Sequence, residues 1–157
     1  MELFGRPTIN PLLFYSGKIS GYITWAMLFY SLSNYDISNN DYFNFRFAIT
    51  ICLSATGLML IALSLIHLGK STRFGLPVEC TEFKKNGIYK FSRNPMYFGF
   101  NLLTIASIIY TINVIIMILG IFSIIVYHII ILSEENFLYK RFGIDYMNYR
   151  KKVRRYL

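Results

Sequence analysis

Two acidic residues stand side by side at the end of a long apolar run, Glu134 and Glu135 in the segment SEENFLYKRFG. Arg93, Asn94, Pro95 and Tyr97 crowd the mouth of an earlier run, in RNPMYFG. A carboxylate at a membrane edge can hold a cation or pair with a base, and ionisable groups in such places are often functional. Acid at a helix C-terminus also opposes the helix dipole, which points to a role beyond helix stability. The alternative is a solvated helix end. Asn94 suits an N-cap and Pro95 the first helical position, so a helix is predicted to begin here. Its first N–H groups, with Arg93 beside them, would attract a carboxylate or phosphate. The same residues also have a purely structural reading. Arg93 would snorkel, Tyr97 would anchor at the headgroups and Pro95 would simply start a span.

Other chemistry is thinly represented. His67 ends the second apolar run and His128 lies inside the fourth, and a lone histidine in a span is more often packed or interfacial than a ligand. No cluster has metal-ligand spacing, no serine sits in a nucleophile elbow, and no glycine-rich phosphate loop follows a strand. Cys52, in ICLSATG, reads as a small core residue, and Cys80 as part of a basic loop, without a disulfide framework.

The elements that must carry these residues are apolar. The 157 residues are 55% hydrophobic and 18% aromatic, with mean hydropathy +0.44 and only 15% charged. Soluble domains lie nearer about 45–50% apolar. Four runs stand out, at residues 19–33 (with a possible start near 11), 45–68, 96–111 and 114–132. The last two are long enough to cross a bilayer as helices and are separated only by Ile112 and Asn113, so they are predicted to form a tight antiparallel hairpin. The expected fold is an all-α integral membrane protein of one domain. It has about four transmembrane helices, an N-terminal two-helix part (residues 1–69) and a second part (residues 78–155).

The net charge of +8 marks membrane edges rather than nucleic-acid binding. Apart from Arg46 at the start of the second run, lysine and arginine fall at the N-terminus, in residues 69–95 and in the tail, while residues 34–44 carry only Asp36 and Asp41. With four spans all the basic segments share one side, so a multi-pass protein with both termini cytoplasmic is expected, and no cleaved signal peptide. In the tail, Gly143 is expected to break the chain before short amphipathic helices. Asp145 would cap one of these, with Tyr146, Tyr149, Arg150 and Val153 on a shared face.

Residues 87–99, GIYKFSRNPMYFG, followed by Glu134-Glu135, Leu138, Phe142-Gly143, Tyr146, Tyr149 and Val153, resemble the isoprenylcysteine carboxyl methyltransferase family and its phospholipid methyltransferase relatives. The resemblance covers roughly residues 78–155. It implies an integral membrane enzyme using S-adenosylmethionine, held in a cytosolic pocket. It matches Tyr89, Asn94, Pro95, Met96 and Tyr97 to cofactor-lining positions, and Thr81, Glu82, Phe83 and Lys84 to a further contacting stretch. One of Glu134 and Glu135 would be the acidic contact. Arg93, Glu134 and Glu135 are the candidates for catalysis. Members acting on prenylcysteine carry His where this chain has Asn94, and an Arg about a turn before the acidic pair, where this chain has YHIIILSEE. His128 is then the nearest cation for a substrate. The implied partners are a lipophilic or prenylated acceptor and membrane lipids, with no metal and no nucleic acid. A prenylcysteine carboxylate is the first expectation for the acceptor, because it is already ionised and needs no base. A phospholipid-type amine is second and would need one from the acidic pair or His128. A sterol-reductase-like enzyme and a non-catalytic membrane protein are the alternatives from other classes.

Overall fold

The computed structural model describes residues 9–34, 45–68, 83 and 85–156. These form four α-helices, α1 (Pro11–Ser33), α2 (Phe45–Leu68), α3 (Pro95–Thr111) and α4 (Val114–Lys152), with a 3-10 turn at Gly87–Lys90 ahead of α3. Polar residues set the helix starts. Asn10 Oδ1 accepts from Leu12 N at 2.9 Å, with Pro11 in the first turn of α1. Asn113 Oδ1 accepts from Ile115 N at 2.9 Å and Ile116 N at 3.2 Å, opening α4. The hairpin between α3 and α4 turns on Ile112 and Asn113, as the sequence predicts.

Two expectations are modified. Asn94 occupies the N-cap position of α3, but its side chain makes no capping bond and is used elsewhere. The helix that carries the fourth apolar run does not stop near residue 132. It runs on for 39 residues to Lys152 and bends at Gly143, whose φ of 50° and ψ of −119° lie outside the helical region. Glycine adopts that conformation without a Cβ penalty. The break at Gly143 is therefore real, but the arm before it is continuous with the apolar stretch.

Small residues let the helices approach closely. Gly57 and Gly99 face each other across α2 and α3. A Cβ on Gly57 would lie 2.9 Å from Gly99 O, and one on Gly99 2.7 Å from Gly57 O. Gly17 of α1 packs on Val126, and Gly21 on Ser123 and Tyr127 of α4. Between helices, Ser107 Oγ donates to Thr24 O at 2.7 Å, and Trp25 Nε1 donates to Thr104 Oγ1 at 3.0 Å. Buried positions hold many Ser and Thr, while Met59, Ile115 and Ile118 are 63%, 66% and 60% exposed. Apolar-out with small and polar residues between helices suits lipid, which is as apolar as the core and provides no hydrophobic drive between helices. Among the described residues two helices, α2 and α4, are long and apolar enough to cross a membrane. Cys52 does not join the core: it is exposed on α2. Cys80 lies outside the described residues.

α1 and α4 run antiparallel, since Gly17 meets Val126 while Gly21 meets Ser123. Phe14 of α1 packs with Tyr97, Val126, Tyr127, Ile130 and Ile131. The start of α1, the start of α3 and residues 126–135 of α4 thus converge at one end. The end of α2 joins them, because His67 packs on Gly87.

The Gly57–Gly99 approach predicts that Gly99→Ala lowers the thermal midpoint of the purified protein. The added methyl meets backbone rather than a movable side chain, so a loss of roughly 1–3 kcal/mol is expected despite the gain in helix propensity.

Candidate active site

At the convergent end the two glutamates part company. Adjacent residues on a helix point about 100° apart, and here each meets a different neighbourhood. Glu135 is buried. Arg93 Nη2 lies 3.3 Å from its Oε1, and Arg155 Nη2 lies 3.0 Å from its Oε2. Arg155 Nε donates to both carboxylate oxygens at 3.2 Å, and Asn94 Nδ2 donates to Oε1 at 3.2 Å. This explains why Asn94 does not cap α3: its amide serves the carboxylate instead.

The chain end is stitched to the same place. Arg93 N donates to Arg154 O at 2.9 Å, and Ser92 Oγ and Asn94 Nδ2 approach Arg155 O at 3.3 and 3.4 Å. Tyr149 OH donates to Tyr89 O at 2.6 Å. Tyr156 OH and His128 Nδ1 are 2.8 Å apart, and the Tyr156 ring also lies beside Phe98. His128 precedes Glu135 by about two helical turns and shares its face. His128 is therefore directed at the tail and not at the Tyr97–Glu134 pair.

Glu134 occupies the other face. Tyr97 OH donates to its Oε1 at 2.8 Å. Its described ionic neighbour is Lys18 of α1, whose charge acts on it, and Lys18 Nζ also sits 4.0 Å above the Phe14 ring. The apolar stretch of α4 ends at Leu132, so Glu134 lies just beyond it. Burial raises its carboxyl to about 7, opposed by the Tyr97 hydroxyl and by Lys18.

Several polar atoms are buried with no partner among the described residues. Arg93 Nε and Nη1 and the Tyr146 hydroxyl are three of them. The Arg93 side chain is 8% exposed, and Tyr146 is 1% exposed. The start of α3 adds backbone N–H groups that no side chain caps. Aromatic rings gather nearby: Phe83 stacks on Phe142 with centroids 5.2 Å apart and meets Tyr146 at 5.6 Å and Tyr149 at 5.1 Å. Pro95 and Tyr97 are buried, and Met96 and Tyr89 are partly buried. Of the stretch matched to cofactor contacts, Thr81, Glu82 and Lys84 lie outside the described residues, leaving Phe83.

A family model described as phospholipid methyltransferase matches residues 45–145. The chain belongs to the phospholipid methyltransferase family. No curated protein and no solved structure matches it. The matched span takes in α2, α3 and most of α4, including Arg93, Asn94, Tyr97 and both glutamates, but neither α1 nor residues 146–156. The protein is thus a membrane methyltransferase by family, and such enzymes generally use S-adenosylmethionine. The groups here fit that molecule: orphaned arginine donors and a helix N-terminus for its carboxylate, aromatic faces for adenine and sulfonium, and a carboxylate for positive charge. Among the described residues there is no group of His, Cys, Asp or Glu able to hold a metal ion.

The sequence reading did not place Arg155, Tyr156 or Lys18 at the site. Arg155 looks like one more charge in the basic tail. Lys18 carried a usable signal, a lone cation flanked by Gly17 and Ile19 at an apolar helix.

The arrangement predicts opposite stability effects for the two acids. Glu135→Gln leaves Arg93 and Arg155 without their countercharge, and should lower unfolding stability by roughly 3–5 kcal/mol. Glu134→Gln should not destabilise. The Glu134 carboxyl titrates above its ordinary range, so its ionisation counts against the fold as pH rises past that range, fully so above about 7. At mildly alkaline pH the Glu134→Gln midpoint should equal or exceed that of the parent protein.

Proposed function

We propose that the protein moves a methyl group from S-adenosylmethionine to the amine of a phospholipid-type acceptor at the cytosolic face of a membrane, with all four helices spanning and both termini cytoplasmic. The observation that carries this reading is Glu134, a partly buried carboxylate hydrogen-bonded to Tyr97 and left unneutralised by the arginines that claim its neighbour. When bound, S-adenosylmethionine supplies an electrophilic methyl on a sulfonium. Arg93, through Nε and Nη1, with the open start of α3, would hold its carboxylate end, while Tyr89, Asn94, Pro95, Met96 and Tyr97 would line its pocket.

An amine acceptor arrives largely as an ammonium at neutral pH and has no lone pair to offer. Glu134 would take the proton from the acceptor nitrogen onto its carboxylate, with Tyr97 OH fixing the direction of the oxygen that receives it. A base whose pKa lies near the working pH is well matched to that task. The desolvation that raises Glu134 also strengthens its attraction for the ammonium. Glu135 would act at one remove, positioning Arg93 and Asn94.

A carboxylate acceptor of the prenylcysteine type is the second reading. Lys18, a cation beside the Tyr97–Glu134 pair, favours it. The products differ chemically. A methyl ester releases methanol in mild alkali, whereas an N-methyl group survives. Labelled methyl transferred to membrane extract should migrate with a phospholipid and, after mild alkali, stay non-volatile on the headgroup; label released as volatile methanol would select the carboxylate. Calorimetry with S-adenosylhomocysteine separates both from a non-catalytic or reductase role, which predicts no binding. Glu134→Gln should lower kcat by roughly 10²–10⁴-fold. The rise of the parent's rate with pH through about 7 should be absent from the variant.

A further inference from the structure

Beyond Gly143 the α4 chain turns and exposes a second surface, apart from Glu134. Tyr146 and Tyr149 of this arm face inward and are buried. Ile144 and Met147, on the outward side, are 78% and 40% exposed. The bend and this arm form an elbow of about 440 Å³ lined by Tyr139, Met147, Arg150 and Lys151. That volume lies in the range of ligand clefts, roughly 300–1,000 Å³. Tyr139 comes from before the bend and the other three from after it, so the concavity exists only because the helix is kinked.

The charge is one-sided. Between residues 139 and 154 stand Lys140, Arg141, Arg150, Lys151, Lys152 and Arg154, all exposed, against Asp145 alone. The depth is fixed by the tail. Tyr139 lies seven residues past Leu132, roughly 10 Å along the helix, just outside a headgroup layer about 5–8 Å deep. After the bend the chain comes back, since Arg154 meets Arg93, Arg155 meets Glu135 and Tyr156 meets His128. Exposed Ile144 and Met147, flanked by cations and held at that depth, match a helix lying in a membrane interface.

We propose that the elbow is a binding site for the headgroup of an anionic phospholipid, a lipid distinct from the methyl acceptor. Arg150 and Lys151 bind the phosphate, Tyr139 closes the side of the cleft, and Met147 and Ile144 rest on the start of the acyl chains. Bound lipid holds the arm against the membrane and thereby keeps the tail on Glu135 and His128. A soluble phosphate offers the same charge but nothing for the apolar residues, which commits the site to a lipid.

The test uses the full chain purified in a zwitterionic detergent and follows its thermal midpoint during titration with phosphatidylglycerol, phosphatidylcholine or glycerol phosphate. Phosphatidylglycerol alone should raise the midpoint. Arg150→Gln with Lys151→Gln, both exposed and outside the core, should weaken its apparent affinity roughly 30-fold (about 2 kcal/mol). Lys140→Gln with Arg141→Gln removes the same charge outside the elbow and should keep most of the affinity. Equal losses in the two double variants would reduce the effect to diffuse attraction and overturn the site. Unchanged affinity in the first variant, or a glycerol phosphate response matching that of the lipid, would overturn it equally. None of these readouts depends on methyl transfer.

Discussion

A single buried carboxylate organises the functional end of the protein. Glu135 receives Arg93 and Asn94 from the start of α3 and Arg155 from the tail. Removing charges from water is costly, and an ion pair in such a place is retained only when hydrogen bonds satisfy most of its polar atoms. Here both carboxylate oxygens are occupied. The penalty is thus offset in one arrangement of three separate segments, and any slip of α3 against α4, or of the tail against either, would leave a buried charge exposed to its full desolvation cost. The main-chain bond from Arg93 N to Arg154 O and the contact of Tyr156 with His128 extend this seam on either side.

The division of labour between the twin acids follows from that seam. Because Glu135 is neutralised, Glu134 is the carboxylate with negative charge to spare, and the helical twist turns it to the opposite groove. There its hydrogen-bond partner is a phenol and its cationic neighbour a lysine on another helix. Its elevated pKa is the consequence of burial, which outweighs the Tyr97 hydroxyl and the Lys18 charge. Arg93 is shaped by the same event. One of its nitrogens is directed at Glu135, while Nε and Nη1 remain buried and without partners among the described residues. A donor pair buried and unsatisfied is preorganised for an anion.

The helices were legible in the sequence because apolar runs and Asn/Pro punctuation carry periodic, local information. Residues 45–68 and the Ile112-Asn113 hairpin fall where those signals put them, and Gly143 bends the chain as expected. The proximity of the Asn94–Pro95 corner to the acidic pair was readable too, since a hairpin brings its two ends together. What failed to show were pairings between distant polar residues. Asn94 leaves its cap because a carboxylate 41 positions away competes for its amide. Arg155 is indistinguishable, by type, from the solvated bases around it. Cys52 fails for a different reason. In lipid an apolar side chain gains nothing by turning inward, so hydrophobicity places a residue in the bilayer without saying which way it faces.

The location of the site follows from the two phases its ligands need. S-adenosylmethionine is charged and arrives from water, whereas the proposed acceptor is anchored in lipid. Only the boundary layer gives both access, and it is also where a protein can hold a carboxylate dry enough to be basic yet close enough to water to exchange its proton. α1 completes that boundary from outside the family-matched span, laying Phe14 and Lys18 against Tyr97 and Glu134. The tail completes the other wall, also largely outside the match. The family-matched core of α2, α3 and α4 therefore presents Glu134, the proposed base, and the flanking segments would decide what is enclosed with it. On this architecture, differences in acceptor among relatives should arise first in the walls, where residues can change without disturbing the Glu135 seam.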